Sequence, residues 1–434
     1  MASSMCRGPS FRESMRLSRE QLSLTRPALI VSLTARPGRL LALAGIASVS
    51  LGIRNAITAI SPINDYITAD IPISLSQFGI IGSIPLALFA VVSAMVPILV
   101  RAVGLEMLTL YSIVIMTAGQ LVRVGAGDYS ALFVGSVLTF LGIGAINVLL
   151  PPLVKRYFPE KIGPVTSLYA ALLAISLMIP AASAVPIADA AGWRTSLALW
   201  AILGALPAVP WLVLVLRRSR GDDHRPDDAP SVPVADFLRL WRAPTAWFLA
   251  GLLAITSLNA YVAFSWFPAL LGDVAAVNDA RAGFLLAVFS FLGLPLALAV
   301  PVMAARGFKV GVLIAVGGAS FTLGYAGLLA APEFSPILWV TMIAFGPVIF
   351  PLCLVLANLW SRTESGAVAL NSFMQAVGYL LAAAWPLIIG VLHDASGGWT
   401  IPLLVLIVTS LIAVVLGVVV RTPRYIEDEV RMLV

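Results

Sequence analysis

The stretch LLALAGIASVSLGIRNAITAISP, residues 40–62, is an apolar run with a single charged residue, Arg54, near its middle. Its length suits one helix across a bilayer, which needs about 20 apolar residues. A guanidinium at mid-bilayer costs about 2.5–3.5 kcal/mol on insertion scales, and arginine stays ionised at any accessible pH. The stretch therefore predicts a membrane-spanning helix whose Arg54 faces a polar cavity or a partner inside the protein.

Three small polar residues are spaced so as to share the helical face of Arg54. Ser50 lies four residues before it, and Thr58 and Ser61 lie four and seven residues after it. Because residues four and seven apart lie on one side of a helix, the spacing predicts a polar stripe that faces water. The alternative is a structural arginine, which reaches the membrane surface with its tip or is bonded to backbone carbonyls.

The composition of the chain excludes a soluble protein. Of the 434 residues, 60% are hydrophobic and 11% are charged, and the mean hydropathy is +0.99. Soluble domains have roughly 25% charged residues. The net charge of +6 comes from short basic clusters between apolar runs, without the basic, aromatic-rich face of a nucleic-acid-binding protein. We therefore expect membrane lipids as neighbours and no nucleic-acid partner.

The sequence lacks the common motifs for cofactors, metals and catalysis. It has no dinucleotide fingerprint, phosphate-binding loop or zinc-protease motif, so no cofactor is expected. Two cysteines (Cys6, Cys353) and two histidines (His224, His393) lie far apart in the chain, which argues against a disulfide and a metal site. Because no nucleophile–base constellation occurs in the apolar runs, an enzyme is the least favoured class.

Twelve apolar runs of about 20 residues follow the N-terminal segment and predict an all-α integral membrane fold of twelve transmembrane helices. The predicted spans are 40–62, 77–100, 107–124, 130–154, 164–187, 195–216, 244–268, 282–303, 310–330, 336–358, 366–391 and 399–420. The expected organisation is a disordered basic cytoplasmic tail (1–38), a six-helix bundle (39–216), a cytoplasmic linker (217–243), a second six-helix bundle (244–420) and a cytoplasmic tail (421–434).

The distribution of basic residues predicts the orientation of the chain. An even number of spans puts both termini on one side, and that side carries 23 of the 27 Lys and Arg residues. The loops on the other side are expected to hold Arg123, Arg194 and Arg281. Since cytoplasmic loops are enriched in Lys and Arg, we expect both termini in the cytoplasm and the protein in the cytoplasmic membrane.

The two groups of six spans repeat one another at an offset of about 204 residues, at which Asn55 corresponds to Asn259. A same-direction repeat of six spans predicts two bundles related by an axis along the membrane normal, with a substrate path between them. The position equivalent to Arg54 is Leu258. A residue needed only for the architecture should occur in both halves. Asn55, which recurs as Asn259, is therefore expected to be structural, and Arg54, which does not recur, is expected to be functional.

Four strings resemble the major facilitator superfamily and, within it, the branch of cyanate porters and 2-nitroimidazole transporters. They are IRNAITAISP (53–62), GIGAINVLLPPLVKRYFP (142–159), FPLCLVLA (350–357) and SFMQAVGYLLAAAWP (372–386). The resemblance covers residues 40–420 and implies a monomer with a central cavity lined by the first, fourth, seventh and tenth spans. The substrates that it implies are cyanate-like anions and nitroimidazole-like rings.

Two departures from the superfamily pattern are visible. In PILVRAVGLE (97–106), Arg101 stands where the superfamily usually has an acid, so the charge network of that loop is altered. The fifth span, with LLAISLMIPAASAVP at 172–186, lacks the glycine-rich signature of drug/proton antiporters. The second departure weighs against multidrug efflux.

Polar residues within the spans are the candidates for substrate binding, because they are costly in a bilayer and usually face a cavity. The candidates are Arg54, Thr58, Asn147, Tyr261, Trp266, Gln375 and Tyr379. Each except Arg54 has a plainer interpretation as an interhelical hydrogen bond or a packing aromatic. By this assignment no Asp or Glu lies within a span, so one fixed cation with neutral donors favours a small anion or a planar heterocycle over a cationic drug.

The sequence thus favours a secondary transporter that binds a small molecule and works by alternating access of its two bundles. Two alternatives stay open. One is an efflux pump for hydrophobic toxicants, in which Arg54→Ala would have little effect. The other is a transporter-like receptor or scaffold without flux, acting through the basic tail and the linker.

Overall fold

The computed structural model describes residues 38–218, 240–305, 308–419 and 425–432, and over these residues its regular elements are all helices. Twelve of its segments are long and apolar enough to cross a membrane, which confirms the predicted fold class. Span 1 comprises Arg39–Gly52, Asn55–Thr58, the 3₁₀ turn Ser61–Ile63 and Asn64–Asp70. The others are Leu75–Val103 (span 2), Leu105–Val124 (3), Tyr129–Tyr157 (4), Ile162–Ala191 (5), Trp193–Ala205 with Ala208–Arg218 (6), Pro244–Ala275 (7), Asp279–Ala305 (8), Val310–Ala330 (9), Pro336–Phe345 with Ile349–Leu359 (10), Glu364–Ala383 with Trp385–Ser396 (11) and Thr400–Val419 (12).

Local sequence signals determine where several spans begin. The Ser74 hydroxyl accepts a hydrogen bond from the Gln77 backbone and the Gln77 side chain accepts one from the Ser74 backbone, so the pair caps span 2. Span 4 begins after Asp128, whose carboxylate accepts a backbone N–H of the first turn. Gly104 and Gly192 have φ values of 85° and 84°, which favour glycine, and each lets one span turn directly into the next.

The two sets of six spans meet along two seams. Span 5 packs against span 8 on one side, and span 2 packs against span 11 on the other. We call the end of the molecule at which Arg39 and Arg218 lie the terminal face. The opposite end, where span 1 gives way to span 2, is the far face.

Close contacts between the two halves lie toward the far face. A Cβ at Gly79 of span 2 would lie 2.8 Å from a backbone oxygen of span 11, and a Cβ at Gly283 of span 8 would lie 2.5 Å from one of span 5. The Asp394 carboxylate of span 11 accepts hydrogen bonds from the backbone N–H and hydroxyl of Ser76 in span 2. The halves are therefore held together here, and the backbone approach at the two glycines leaves no room for a side chain.

Span 1 packs differently on the two sides of its middle. Its terminal part, Arg39–Gly52, packs on spans 4, 5 and 6 of its own half. Its far part, including Ser61–Ile63, packs on spans 7 and 8 of the other half. In the terminal part Leu40 and Leu51 are exposed. The second half therefore covers span 1 mainly beyond its middle.

Two charged residues that the sequence places outside the spans are buried inside them. Arg123, expected in a far loop, is 2% exposed in the last turn of span 3. Glu106, expected just before span 3, is 1% exposed in its first turn, where Arg156 pairs with it at 3.0 Å and the Tyr157 hydroxyl donates to it. The expectation that no carboxylate lies within a span is therefore wrong. Glu106 is buried there and is tolerated because these two partners stabilise its charge, and the helix ends of spans 1, 5, 7, 8 and 11 also carry carboxylates.

Part of the predicted C-terminal tail is structured. Ile426–Met432 forms a short helix that packs on spans 7 and 11. Residues 1–37, which hold nearly all of the predicted N-terminal tail, and 219–239 of the predicted linker lie outside the described residues.

Candidate functional site

Span 1 is interrupted at Ile53 and Arg54, near the middle of the membrane segment. The first helix ends at Gly52 and the next begins at Asn55. The backbone N–H of Arg54 donates to the Ser176 hydroxyl of span 5 at 3.1 Å instead of to a helical carbonyl. Such a break is tolerated at membrane depth because neighbouring helices satisfy the freed backbone groups.

Hydrogen bonds to spans 3 and 6 hold the short helix Asn55–Thr58 after the break. The Asn55 amide donates to the Trp200 carbonyl of span 6 at 3.3 Å and accepts from Gln120 of span 3 at 3.4 Å. Arg123 Nη1 donates to the Ala56 carbonyl at 3.2 Å. The structure thus gives Asn55 the interhelical contacts of a structural residue.

The break changes the predicted polar stripe. Ser50 and Thr58 are 0% exposed and Ser61 is 3% exposed. The Thr58 hydroxyl donates to the Leu177 carbonyl of span 5 at 2.8 Å, and the Ser50 hydroxyl donates to the Ile46 carbonyl of its own helix. The predicted water-facing stripe is therefore wrong, because all three side chains are buried in the protein. The Thr58 hydroxyl is occupied by its hydrogen bond to span 5.

Arg54 itself is half-buried, between neighbours that are fully buried. Its Nε is enclosed without a hydrogen-bond partner, and no carboxylate of residues 38–218, 240–305, 308–419 or 425–432 pairs with the guanidinium. An enclosed charge without a counter-ion is costly, and an anionic ligand would offset that cost.

Three tyrosines from the two halves lie within electrostatic range of Arg54. Tyr169 of span 5, Tyr261 of span 7 and Tyr379 of span 11 lie near enough for their hydroxyls to interact electrostatically with the Arg54 charge. Phe89 of span 2 packs edge-on against Tyr261 and Tyr379, with ring centroids 6.4 and 6.3 Å away. Tyr261 and Tyr379 of the second half thus contact Phe89 of the first half and lie within electrostatic range of Arg54.

The remaining predicted residues lie in other surroundings. Trp266 is 1% exposed, and its indole N–H donates to the Pro386 carbonyl at 2.9 Å, which ties span 7 to span 11. Gln375 donates to Asn371 of its own helix at 3.2 Å. Asn147 is half-buried in span 4. Trp266 is therefore a packing residue, and no hydrogen bond joins Asn147 or Gln375 to Arg54 within the described part of the chain.

Beyond Arg54, toward the far face, a small pocket of about 20 Å³, room for about one water molecule, lies between spans 1, 2, 4 and 7. Tyr261 lines it together with Ile57, which lies one turn after Arg54. Neither this pocket nor the position of Tyr169 could be predicted from the sequence, because both depend on how the helices pack. Within the described ranges, no group of three His, Cys, Asp or Glu residues is placed to hold a metal ion.

Comparisons with known proteins agree with this architecture. The family model of the Major Facilitator Superfamily matches residues 43–346. The 2-nitroimidazole transporter of Escherichia coli (strain K12) is 30% identical over 386 residues, 87% of this chain and 95% of that protein. The cyanate transport protein CynX of the same strain is 24% identical over 353 residues, 81% of this chain and 89% of that protein.

A solved structure shares the fold. It is a bacterial homologue of the human lysosomal transporter Spinster, in an inward-facing and unoccupied conformation, with a TM-score of 0.70 at 14% identity. The match covers 91% of this chain and 99% of that one. The family model, the relatives and the twelve spans identify a multi-pass membrane transporter of small molecules rather than an enzyme. The chain belongs to the Major Facilitator Superfamily.

Proposed function

We propose that this protein is a secondary transporter of a small anion and that Arg54 binds the charge of that anion. The observation that carries the proposal is the half-buried Arg54 guanidinium without a counter-ion, at the junction of the two halves. The hydroxyls of Tyr169, Tyr261 and Tyr379 supply neutral hydrogen-bond donors beside it. A fixed cation with neutral donors suits an anion and disfavours a cationic substrate.

We also propose that transport proceeds by alternating access of the two halves. The packing of spans 2 and 11 and of spans 5 and 8 supports it, because the halves are in close contact toward the far face. Span 1 supports it too, since its terminal part packs on its own half and leaves Arg54 partly accessible. Rocking of one half on the other would then expose the site to each side in turn.

The orientation that we propose puts the terminal face in the cytoplasm. With Arg123 buried, the basic residues expected in far loops reduce to Arg194 and Arg281, which strengthens the asymmetry of charge.

On a Cys6→Ser background, a membrane-impermeant maleimide added to intact cells should label Gly127→Cys at the far face. Labelling only after lysis would reverse the orientation. A monomer in the cytoplasmic membrane is the simplest assembly, because the Arg54 site is formed within one chain.

The names of the relatives support a small substrate but do not identify the substrate of this protein. One is called a 2-nitroimidazole transporter and another a cyanate transport protein. Both substrates named are small and polar, and cyanate is an anion. The permanent positive charge of Arg54 supports an anion, which is the substrate type that we favour.

Ligand-induced thermal stabilisation of the purified protein tests the role of Arg54. Small anions, including cyanate and carboxylates, should raise the melting temperature of the parent protein but not of Arg54→Gln, because binding to the native state stabilises it. Arg281→Gln is the matched control, since it makes the same change at an exposed position. The same anions should drive counterflow in proteoliposomes. The proposal fails if every effective anion stabilises Arg54→Gln as well as the parent.

A further inference from the structure

A histidine with an unused ring nitrogen lies beside a contact that joins the two halves at the far face. His393, in the last turn of the second helix of span 11, has a side chain that is 16% exposed. Its Nδ1 is buried without a hydrogen-bond partner, 3.8 Å from Oδ1 of Asp394. The other oxygen of Asp394, Oδ2, accepts the hydrogen bonds from Ser76 of span 2. Asp394 thus has one oxygen in the contact between the halves and the other facing His393.

The seam between spans 2 and 11 is narrow here, and its charged groups are acidic. One turn before His393, a Cβ at Gly390 would lie 2.9 Å from the backbone oxygen of Leu75. This part of span 11 packs on spans 2, 7 and 12. In the far parts of these three spans, which the structure describes, the one charged residue is Asp273 of span 7. His393 is therefore close to acids and to no permanent cation of the packed spans.

Trp399, just before span 12, connects His393 to this second acid. The ring centres of His393 and Trp399 are 4.5 Å apart. The indole N–H of Trp399 donates to the Asp273 carboxylate at 2.7 Å. An acid, a tryptophan and a histidine thus form one corner of the second half.

The equivalent corner of the first half contains a permanent cation. The indole N–H of Trp193, at the start of span 6, donates to Asp70 at 2.9 Å. The Arg194 guanidinium lies 4.2 Å from the centre of the Trp193 ring and pairs with Asp70 at 2.6 Å. In the second half a threonine follows Trp399, and the ring of His393 lies against the indole instead. The second half therefore has, in place of the arginine, a group that is a cation only when it is protonated.

We propose that His393 is a proton-binding site and that a proton taken up there from the far side favours closure of the seam between spans 2 and 11. Protonation gives the ring a charge that both neighbouring acids attract, and it makes Nδ1 a donor that faces the free oxygen of Asp394. This attraction keeps Asp394 where it accepts the hydrogen bonds of Ser76. When the seam opens, Asp394 loses Ser76 and water screens its charge, so the proton stabilises the open seam less.

The proton site depends on the proposed alternating access, because it requires the far face to open, but not on what Arg54 binds. Spin labels at Gly127→Cys and Ala331→Cys, exposed far-face positions on opposite halves, report that opening on a Cys6→Ser background. From about pH 8 to about pH 5, the ratio of closed to open populations should rise at least about fivefold. The measurement needs no substrate.

Substitutions at His393 identify the group that binds the proton. His393→Gln should abolish the response to pH, because glutamine does not titrate. His224→Gln is the matched control, since it makes the same change at the only other histidine of the sequence, and it should keep the response. His393→Arg should stay closed at both pH values, because its charge is permanent as in the first half. If His393→Gln does not fold, Asp394→Asn removes the attracting charge, keeps an acceptor for Ser76 and should also abolish the response.

The outcomes distinguish the proton site from the proposed function. A response to pH that is as large in His393→Gln as in the parent would overturn the proton site and place the responding group elsewhere. Open and closed populations whose ratio does not change with pH in the parent would also overturn it and leave alternating access intact. A single closed population at every pH, with and without cyanate, would overturn both.

Discussion

Arg54 and Arg123 lie inside the first half of the molecule, but their surroundings differ. Arg123 is 2% exposed, with its guanidinium 5.9 Å from the centre of the Phe140 ring and one bond to the Ala56 carbonyl. Its other two nitrogens have no partner among the described residues. Because Ala56 belongs to the short helix after the break in span 1, Arg123 acts on that helix. Arg54 is only half-buried and contacts no carboxylate of the described residues, so we propose the ligand role for Arg54.

At the residue scale, the equivalent asparagines Asn55 and Asn259 provide a matched test. Asn55 joins spans 3 and 6 to span 1, whereas Asn259 donates to the Ile255 carbonyl of its own helix at 2.8 Å. Asn55→Ala should lower the free energy of unfolding by about 1–3 kcal/mol, because it leaves buried partners of both its hydrogen bonds unsatisfied. Asn259→Ala should cost less than about 1 kcal/mol.

Melting temperatures of both variants in detergent check this difference. Since both residues are at most 1% exposed, burial alone predicts equal losses. Equal losses would therefore contradict the interhelical role of Asn55. A smaller loss for Asn55→Ala would reverse the assignment.

At the scale of elements, the C-terminal helix Ile426–Met432 joins two span N-termini of the second half. Glu427 accepts hydrogen bonds from the backbone N–H groups of Arg362 and Thr363 and from the Thr363 hydroxyl, at 2.9–3.0 Å. Glu429 accepts from the backbone and hydroxyl of Thr245, at 3.1 and 2.6 Å. Acidic groups at helix N-termini are stabilising, so this helix acts as a cap for spans 7 and 11.

The Glu427 contacts make a pH-dependent contribution to stability. Burial disfavours its charged form, but the hydrogen bonds from Arg362 and Thr363 outweigh burial and hold the pKa of this carboxyl below its usual value. A depressed folded-state pKa stabilises the protein above the unfolded pKa, and that stabilisation is lost as pH falls through the folded pKa. The melting temperature of Glu427→Gln should therefore lie below that of the parent at pH 7 and approach it in acid.

Parallel melting curves from neutral to acidic pH check this prediction. Glu333→Gln, at an exposed loop position, is the control and should follow the parent throughout. A gap between Glu427→Gln and the parent that widens in acid would show that the stabilising form of Glu427 is the protonated one. That result would contradict the capping role.

The spans could be predicted from the sequence, but the interruption of span 1 could not. An apolar run of about 20 residues is enough to predict a transmembrane helix whatever packs around it. The break at Arg54 depends on Ser176 and Arg123, which come from other spans. Spacing along span 1 therefore misassigned Thr58 as cavity-facing. The position of Tyr169 near Arg54 could not be predicted for the same reason, since it follows from how span 5 packs on span 1.

At the scale of the whole molecule, acidic residues of both halves meet at the far face. Asp65 and Asp189 of the first half interact electrostatically with Asp279, at the start of span 8 in the second half. The Tyr66 hydroxyl donates to Asp189. Like charges on the two halves repel each other, so they oppose the contacts of spans 2 and 11 that hold this face closed. Opening of the far face should therefore depend on these carboxylates.

Removing one carboxylate tests this balance. In Asp279→Asn the repulsion across the halves falls, so the closed far face should become more populated and transport turnover slower. Spin labels at Gly127→Cys and Thr400→Cys, exposed far-face positions on opposite halves, report the separation by pulsed electron resonance on a Cys6→Ser background. The distance distribution should shift toward shorter values.

Glu333→Gln, which removes a far-face charge outside the Asp65, Asp189 and Asp279 cluster, is the control and should leave the distance distribution unchanged. A shift toward longer distances in Asp279→Asn would contradict this prediction. It would mean that the Asp279 carboxylate attracts the other half and helps to hold the far face closed.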